Sequence, residues 1–174
     1  MERGELLTRL SIWLALCGYA AGAGMMLLSR RRARWLAGAR LAWTFGCAFF
    51  LAHVASAFAY YHHWSHAAAY QDTAWQTGEL IGVNWGGGIY LNYLFALAWV
   101  ADVAWWWLAP ASFAARSPKL TAIWQGFFFF MVFNGTIVFG DGPVRWFGVV
   151  ICGTLNVLWW RARSDKAASR ESGA

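Results

Sequence analysis

Five long apolar runs, separated by polar segments, dominate the hydrophobic pattern of this chain. A helix needs about 20 mostly apolar residues, within a range of roughly 17–25, to cross the hydrocarbon core of a bilayer. None of the runs shows the alternation of polar and apolar positions that is typical of a transmembrane β-barrel strand. The runs cover residues 6–28, 41–61, 89–109, 120–140 and 144–160. The pattern therefore predicts an all-α integral membrane protein, with a single five-helix transmembrane domain over 1–162 and a polar cytoplasmic tail over 163–174.

The basic residues predict how these helices are oriented. The chain has 14 Lys and Arg residues, and with five spans all of them except Arg3, Arg9 and Arg145 fall on the C-terminal side of the membrane. Because cytoplasmic loops are enriched in Lys and Arg, we expect the N-terminus outside and the C-terminus inside. No signal or transit peptide is evident, which favours the inner (plasma) membrane of a bacterium.

Composition agrees with a membrane protein and excludes other classes. The apolar set AVILMFWYC supplies 60% of the residues and charged residues only 13%, against about 45–50% and about 25% in soluble domains. The net charge of +6 would suit nucleic acid, but the arginines cluster at the ends of apolar runs. We therefore predict no nucleic-acid partner. The expected partners are the lipid bilayer, with anionic headgroups at the Arg-rich inner face, and other membrane subunits.

The outer connection, residues 62–88, contains no Lys or Arg and is longer than most unstructured loops. Its first half is rich in alanine, which favours a helical extension that continues from the second span. On one continuous helix, His62 and His66 are related by i,i+4 and therefore lie on the same face. Two imidazoles with this spacing can bind one metal ion.

The sequence thus predicts a metal site outside the membrane, which would hold a transition metal such as Zn, Cu or Fe. His62 and His66 are the expected ligands, and His63 is a third ligand or a close neighbour. Asp141 and Glu79 are candidate carboxylate ligands. Haem fits less well because all the histidines come from one segment of the chain. The alternative is an interfacial helix that binds no metal.

Polar residues inside the apolar runs form a second set of candidates. At a rise of about 1.5 Å per residue, Asp102, Gln125 and Asn156 lie at similar depths in the inner half of the bundle. His53 and Asn134 form a second layer nearer the outer surface. Asp102 has no basic residue at its predicted depth. Intramembrane polar groups are costly and therefore favour a functional role, here a path for protons or a ligand. The alternative is that they bind one another to hold helices together.

Glycines predict two close approaches of the backbone. Gly18 and Gly22 form a GxxxG pair that favours a helix crossing within the molecule over a homodimer interface. The three glycines at 86–88 predict either an unusual φ or a close contact before the third span.

The preferred functional hypothesis is a redox or accessory subunit of a larger membrane complex, with the His-centred site on its outer face. The alternative is a structural or small-molecule-binding membrane subunit without metal. The sequence identifies no reaction, so whether the protein is an enzyme stays open.

Overall fold

A computed structural model describes the backbone of residues 3–29 and 34–171, and the side chains of residues 4–28 and 35–164. Within these ranges the fold is entirely helical, without a strand, and it comprises seven α-helices and one π-helical segment. The elements are α1 (Arg3–Ser29), α2 (Arg34–Tyr60), α3 (His66–Ile81), α4 (Gly88–Leu108), α5 (Pro110–Ala114), α6 (Pro118–Phe133), the π-helical segment Asn134–Val138 and α7 (Gly142–Glu171).

Four helical segments are long and apolar enough to cross a membrane. They are Gly4–Leu28, Trp35–Tyr60, Gly88–Leu108 and Pro118–Val138. These segments match the first four predicted runs, and they identify the chain as a membrane protein with at least four candidate spans. The fifth run lies in α7, where Arg145 and Asn156 interrupt the apolar sequence and a charged segment follows Trp160. This helix also continues into the predicted tail, as far as Glu171.

Helices α1 and α2 form an antiparallel hairpin whose backbones come close together. A Cβ atom on Gly18 would lie 2.5 Å from the backbone of Gly46, and one on Gly22 would lie 3.0 Å from the backbone nitrogen of Trp43. A side chain at residue 18 would therefore overlap α2, and residue 22 leaves little room for one, so the crossing depends on small residues. The predicted crossing within the molecule is therefore confirmed.

Helix α7 lies along the other side of α1. The rings of Trp13 and Phe147 are 4.9 Å apart, and farther along both helices a Cβ atom on Gly24 would lie 3.8 Å from the side chain of Leu158. The contact that comes later along α1 also comes later along α7, so the two helices run parallel.

The hydrophobic core is aromatic and centres on Phe128 of α6, which is fully buried. The ring of Phe128 lies 5.0 Å from those of Trp43 and Phe95 and 5.6 Å from that of Trp99. These rings come from α2 and α4, so one side chain joins three helices. Aromatic pairs at such distances contribute about 0.5–1.5 kcal/mol each beyond their burial.

The predicted continuation of the second span into the outer connection is wrong. Helix α2 ends at Tyr60, and a turn follows in which His63 and Trp64 adopt φ values of 48° and 58°. Two residues in the left-handed region interrupt a right-handed helix. A new helix, α3, begins after Ser65, whose hydroxyl oxygen accepts a hydrogen bond from the backbone N–H of Ala68 at 3.2 Å.

Candidate functional site

The first residue of α3, His66, forms hydrogen bonds with two tyrosines of α4. Its Nδ1 atom lies 2.9 Å from the hydroxyl oxygen of Tyr93, and its Nε2 atom lies 3.4 Å from that of Tyr90. In a neutral imidazole one nitrogen donates and the other accepts, so tyrosine hydroxyls satisfy both nitrogens. One hydroxyl then accepts from the imidazole N–H and the other donates to the second nitrogen.

Three tyrosine rings surround this imidazole. The ring centroids of Tyr90, Tyr93 and Tyr70 lie 5.6, 5.8 and 6.4 Å from that of His66. We refer to His66, Tyr70, Tyr90 and Tyr93 as the His66 cluster. His66 and Tyr90 are exposed, so a molecule can reach the cluster from outside the bundle.

Glycines allow the chain to fold back against this cluster. A Cβ atom on Gly86 would overlap the backbone oxygen and the ring of Tyr70, and one on Gly88 would lie 3.2 Å from the side chain of Thr73. The glycine run therefore serves the close approach that the sequence predicted. A positive φ occurs instead at Gly82, where α3 ends.

The predicted metal ligands are not brought together. Among the residues that the structure describes, no group of three or more His, Cys, Asp or Glu side chains is placed to hold a metal ion. Because the turn after α2 separates the two helices, His62 and His66 no longer lie on one face of a single helix. His63 is exposed, with its backbone in the left-handed region. Asp141 and Glu79 are exposed as well.

A buried ion pair lies at the other end of the bundle. An Nη1 atom of Arg116 donates to Oδ1 of Asp102 at 2.7 Å, and the two side chains are 5% and 0% exposed. The guanidinium lies over the ring of Phe113 at 4.3 Å and over that of Trp105 at 5.7 Å. The indole of Trp43 approaches the same carboxyl group without completing a hydrogen bond to it.

This pair corrects the expectation that Asp102 has no basic residue at its depth. Arg116 follows α5, and its long side chain reaches back from the α5–α6 connection into the core. No hydrogen bond joins Asp102, Gln125 and Asn156 in the described part of the chain. The amide of Asn156 instead donates to the carbonyl oxygen of Cys152 in its own helix, at 3.2 Å. The buried Nε2 atom of Gln125 has no partner among the described residues.

The two outer polar residues bind backbone carbonyl groups. Nδ1 of His53 donates to the carbonyl oxygen of Thr8 at 3.0 Å, which ties α2 to α1. The amide of Asn134 donates to the carbonyl oxygen of Phe130, in the preceding turn, at 2.8 Å. The His53 contact joins two helices, whereas the Asn134 contact is local, and neither residue binds another member of the predicted polar set. The path for protons or a ligand stays a prediction.

Arginine–tryptophan contacts line the end of the bundle where Arg116 lies, and the sequence analysis missed them. Arg40 lies over the ring of Trp107 at 4.0 Å, and Arg163 lies over that of Trp159 at 4.1 Å. The signal that could have revealed them is the presence of Arg and Trp together at the ends of the apolar runs. Such pairs suit a membrane–water interface, where the ring is half immersed and the cation faces water.

No family model, curated protein or solved structure matches this chain. The two sites are therefore interpreted from their own chemistry.

Proposed function

We propose that this chain is a five-span protein of the bacterial inner membrane that binds a quinone-class molecule at the His66 cluster on its outer face. In this role it serves as a redox or accessory subunit of a larger membrane complex. The observation that carries the proposal is the exposed imidazole of His66, which is hydrogen-bonded to two tyrosine hydroxyls at the start of α4.

The parallel packing of α7 against α1 supports the fifth span. Between the contacts at Trp13 and Gly24, α1 advances about 16 Å at 1.5 Å per residue, and α7 advances equally between Phe147 and Leu158. Since α1 is a candidate span, α7 passes through the same depth of the bilayer.

The arrangement of the arginines supports the orientation. Arg40, Arg116 and Arg163 lie at one end of the bundle, and each guanidinium is placed over an aromatic ring. Arg9 and Arg145 lie at the other end, where Arg9 pairs with Glu5 at 2.8 Å and Arg145 donates to a backbone carbonyl group. The positive-inside rule assigns the first end to the cytoplasm, and the His66 cluster then faces outward.

A quinone suits the chemistry of the cluster. A quinone ring is planar and carries carbonyl oxygens that accept hydrogen bonds, and the tyrosine whose hydroxyl accepts from the imidazole N–H keeps its own O–H free to donate to such an oxygen. Tyr90, Leu94 and Leu97 are exposed at helical spacing along α4. This stripe leads from the cluster toward the centre of the membrane, where the apolar tail of a quinone would lie.

The binding test uses purified full-length protein in detergent and a short-chain ubiquinone analogue, with bound ligand measured by equilibrium dialysis. We expect saturable binding of one molecule per chain. His66→Ala and Tyr93→Phe should each weaken binding about tenfold, which corresponds to one net hydrogen bond. The matched control is His63→Asn, since residue 63 is exposed outside the cluster and asparagine tolerates its positive φ.

Two outcomes would overturn the quinone proposal. One is non-saturable uptake, or unchanged affinity in His66→Ala. The other is one tightly held transition-metal ion per chain that is lost in the double variant His62→Ala/His66→Ala. The second outcome, read by elemental analysis of the same samples, would establish the metal site that the sequence predicted.

Cysteine labelling tests the topology separately. Trp75 of α3 and Ser164 of α7 are both exposed, so each accepts substitution by cysteine. A membrane-impermeant maleimide should label Trp75→Cys in intact cells, and Ser164→Cys only after permeabilisation. The wild-type protein, whose cysteines lie within α1, α2 and α7, sets the background. Labelling of both variants in intact cells contradicts the fifth span, and the reverse pattern contradicts the orientation.

A further inference from the structure

An apolar groove runs between α1 and α7 on the surface of the bundle. It encloses about 300 Å³. Its floor is buried, and exposed residues such as Cys17 and Val150 line its open side. Its lining includes Ala20, Gly24, Phe147, Ile151, Leu155 and Leu158. The absence of a side chain at Gly24 helps to make the groove, since a Cβ atom there would contact Leu158.

A smaller cavity of about 80 Å³ continues the groove toward the inner end of α7. The two share Leu158, and Arg161 and Leu28 border the smaller cavity. Arg161 follows Leu158 by one helical turn, so both side chains lie on the same face. No hydrogen bond or ion pair within the described part of the chain engages the guanidinium of Arg161. Its neighbour Arg163, in contrast, lies over the ring of Trp159.

We propose that the groove and the cavity together bind one anionic phospholipid of the inner leaflet, with an acyl chain along the groove and the phosphate at Arg161. The length of the groove suits an acyl chain, because the stretch from Phe147 to Leu158 spans about 16 Å and one leaflet of hydrocarbon is about 15 Å thick. The charge suits an anionic headgroup, because the cation of Arg161 lies at the inner end of the apolar groove. This site rests on the five-span topology proposed above and is independent of quinone binding.

The test is a titration of the full-length protein in detergent with phosphatidylglycerol or phosphatidylcholine of identical acyl chains, read by native mass spectrometry. We expect one phosphatidylglycerol per chain, bound more tightly than phosphatidylcholine. Arg161→Gln should weaken phosphatidylglycerol binding about fivefold, since one basic residue near a membrane surface contributes roughly 1 kcal/mol. Thr154→Phe, which places a ring in the groove, should weaken both lipids.

Arg163→Gln is the matched control because it removes the same charge two residues away, outside the groove. Equal loss in Arg161→Gln and Arg163→Gln would indicate general surface charge and overturn the site. Equal affinity for the two lipids, or unchanged binding in Thr154→Phe, would also overturn it. Labelling of Trp75→Cys and Ser164→Cys distinguishes the two failures. Labelling of both variants in intact cells refutes the five-span topology itself, whereas failed lipid binding with the topology intact refutes only the lipid site.

Discussion

Removal of one partner from the buried Asp102–Arg116 pair should destabilise the protein strongly. The side chains are 0% and 5% exposed and share one hydrogen bond of 2.7 Å. Replacement of one partner of such a pair typically costs about 3–5 kcal/mol, because the remaining charge stays buried without compensation. For Arg116→Gln, at about 2–4 °C per kcal/mol for a chain of this size, the melting temperature should fall by roughly 6–20 °C.

An exposed pair of nearly the same length provides the control. Arg9 and Glu5 lie 2.8 Å apart, but their side chains are 67% and 34% exposed. Exposed ion pairs contribute about 0–1 kcal/mol, so Arg9→Gln should leave the melting temperature almost unchanged. The comparison separates the effect of burial from that of distance.

A double-mutant cycle completes the experiment. Asp102→Asn and Arg116→Gln should each destabilise strongly, whereas the double variant should be less destabilised than the sum of the two, with a coupling above about 1 kcal/mol. Thermal unfolding in detergent, followed by circular dichroism, measures all four proteins. Additive losses, or equal losses for Arg116→Gln and Arg9→Gln, would refute the reasoning.

Three further predictions concern local structure, one of them with a matched control variant. Gly86→Ala should lower the melting temperature because its methyl group would overlap Tyr70. Gly126→Ala is the control: residue 126 lies within α6 and its methyl group would meet no neighbour, so this variant should be neutral or stabilised by up to about 1 kcal/mol. Equal shifts in the two variants would contradict the close approach at Gly86. Ser65→Ala removes the N-cap of α3 and should cost about 1 kcal/mol, seen as faster amide hydrogen exchange confined to α3. Gly148→Ala should also lower the melting temperature, because its Cβ atom would overlap the side chain of Thr136 in the π-helical segment.

The sequence could predict the features that depend on local composition. The apolar runs predict the spans because a bilayer demands a minimum apolar length, and the pair Gly18 and Gly22 predicts a crossing because only small residues allow one. The start of α3 had a readable signal in Ser65, a preferred N-cap before an alanine-rich run. The left-handed turn had only a weak signal, since histidine is enriched at positive φ but tryptophan at the next position is not.

The buried ion pair could not be predicted from depth along straight helices. The depth calculated for straight helices placed Arg116 in the connection outside the membrane, beyond the end of α4. The short helix α5 turns the chain back, and a flexible arginine side chain covers the remaining distance to Asp102. Such a contact depends on the path of a loop, which hydrophobic periodicity does not encode.

The backbone crossing of α1 and α2 has a consequence for the order of assembly during biosynthesis. Its contacts join Gly18 to Gly46 and Gly22 to Trp43, so every residue they need has been synthesised before α4 begins. We expect this hairpin to leave the insertion machinery as a packed unit that already presents the ring of Trp43. The later helices then pack against this hairpin, and a bulky residue at Gly46 would disturb its packing before they arrive.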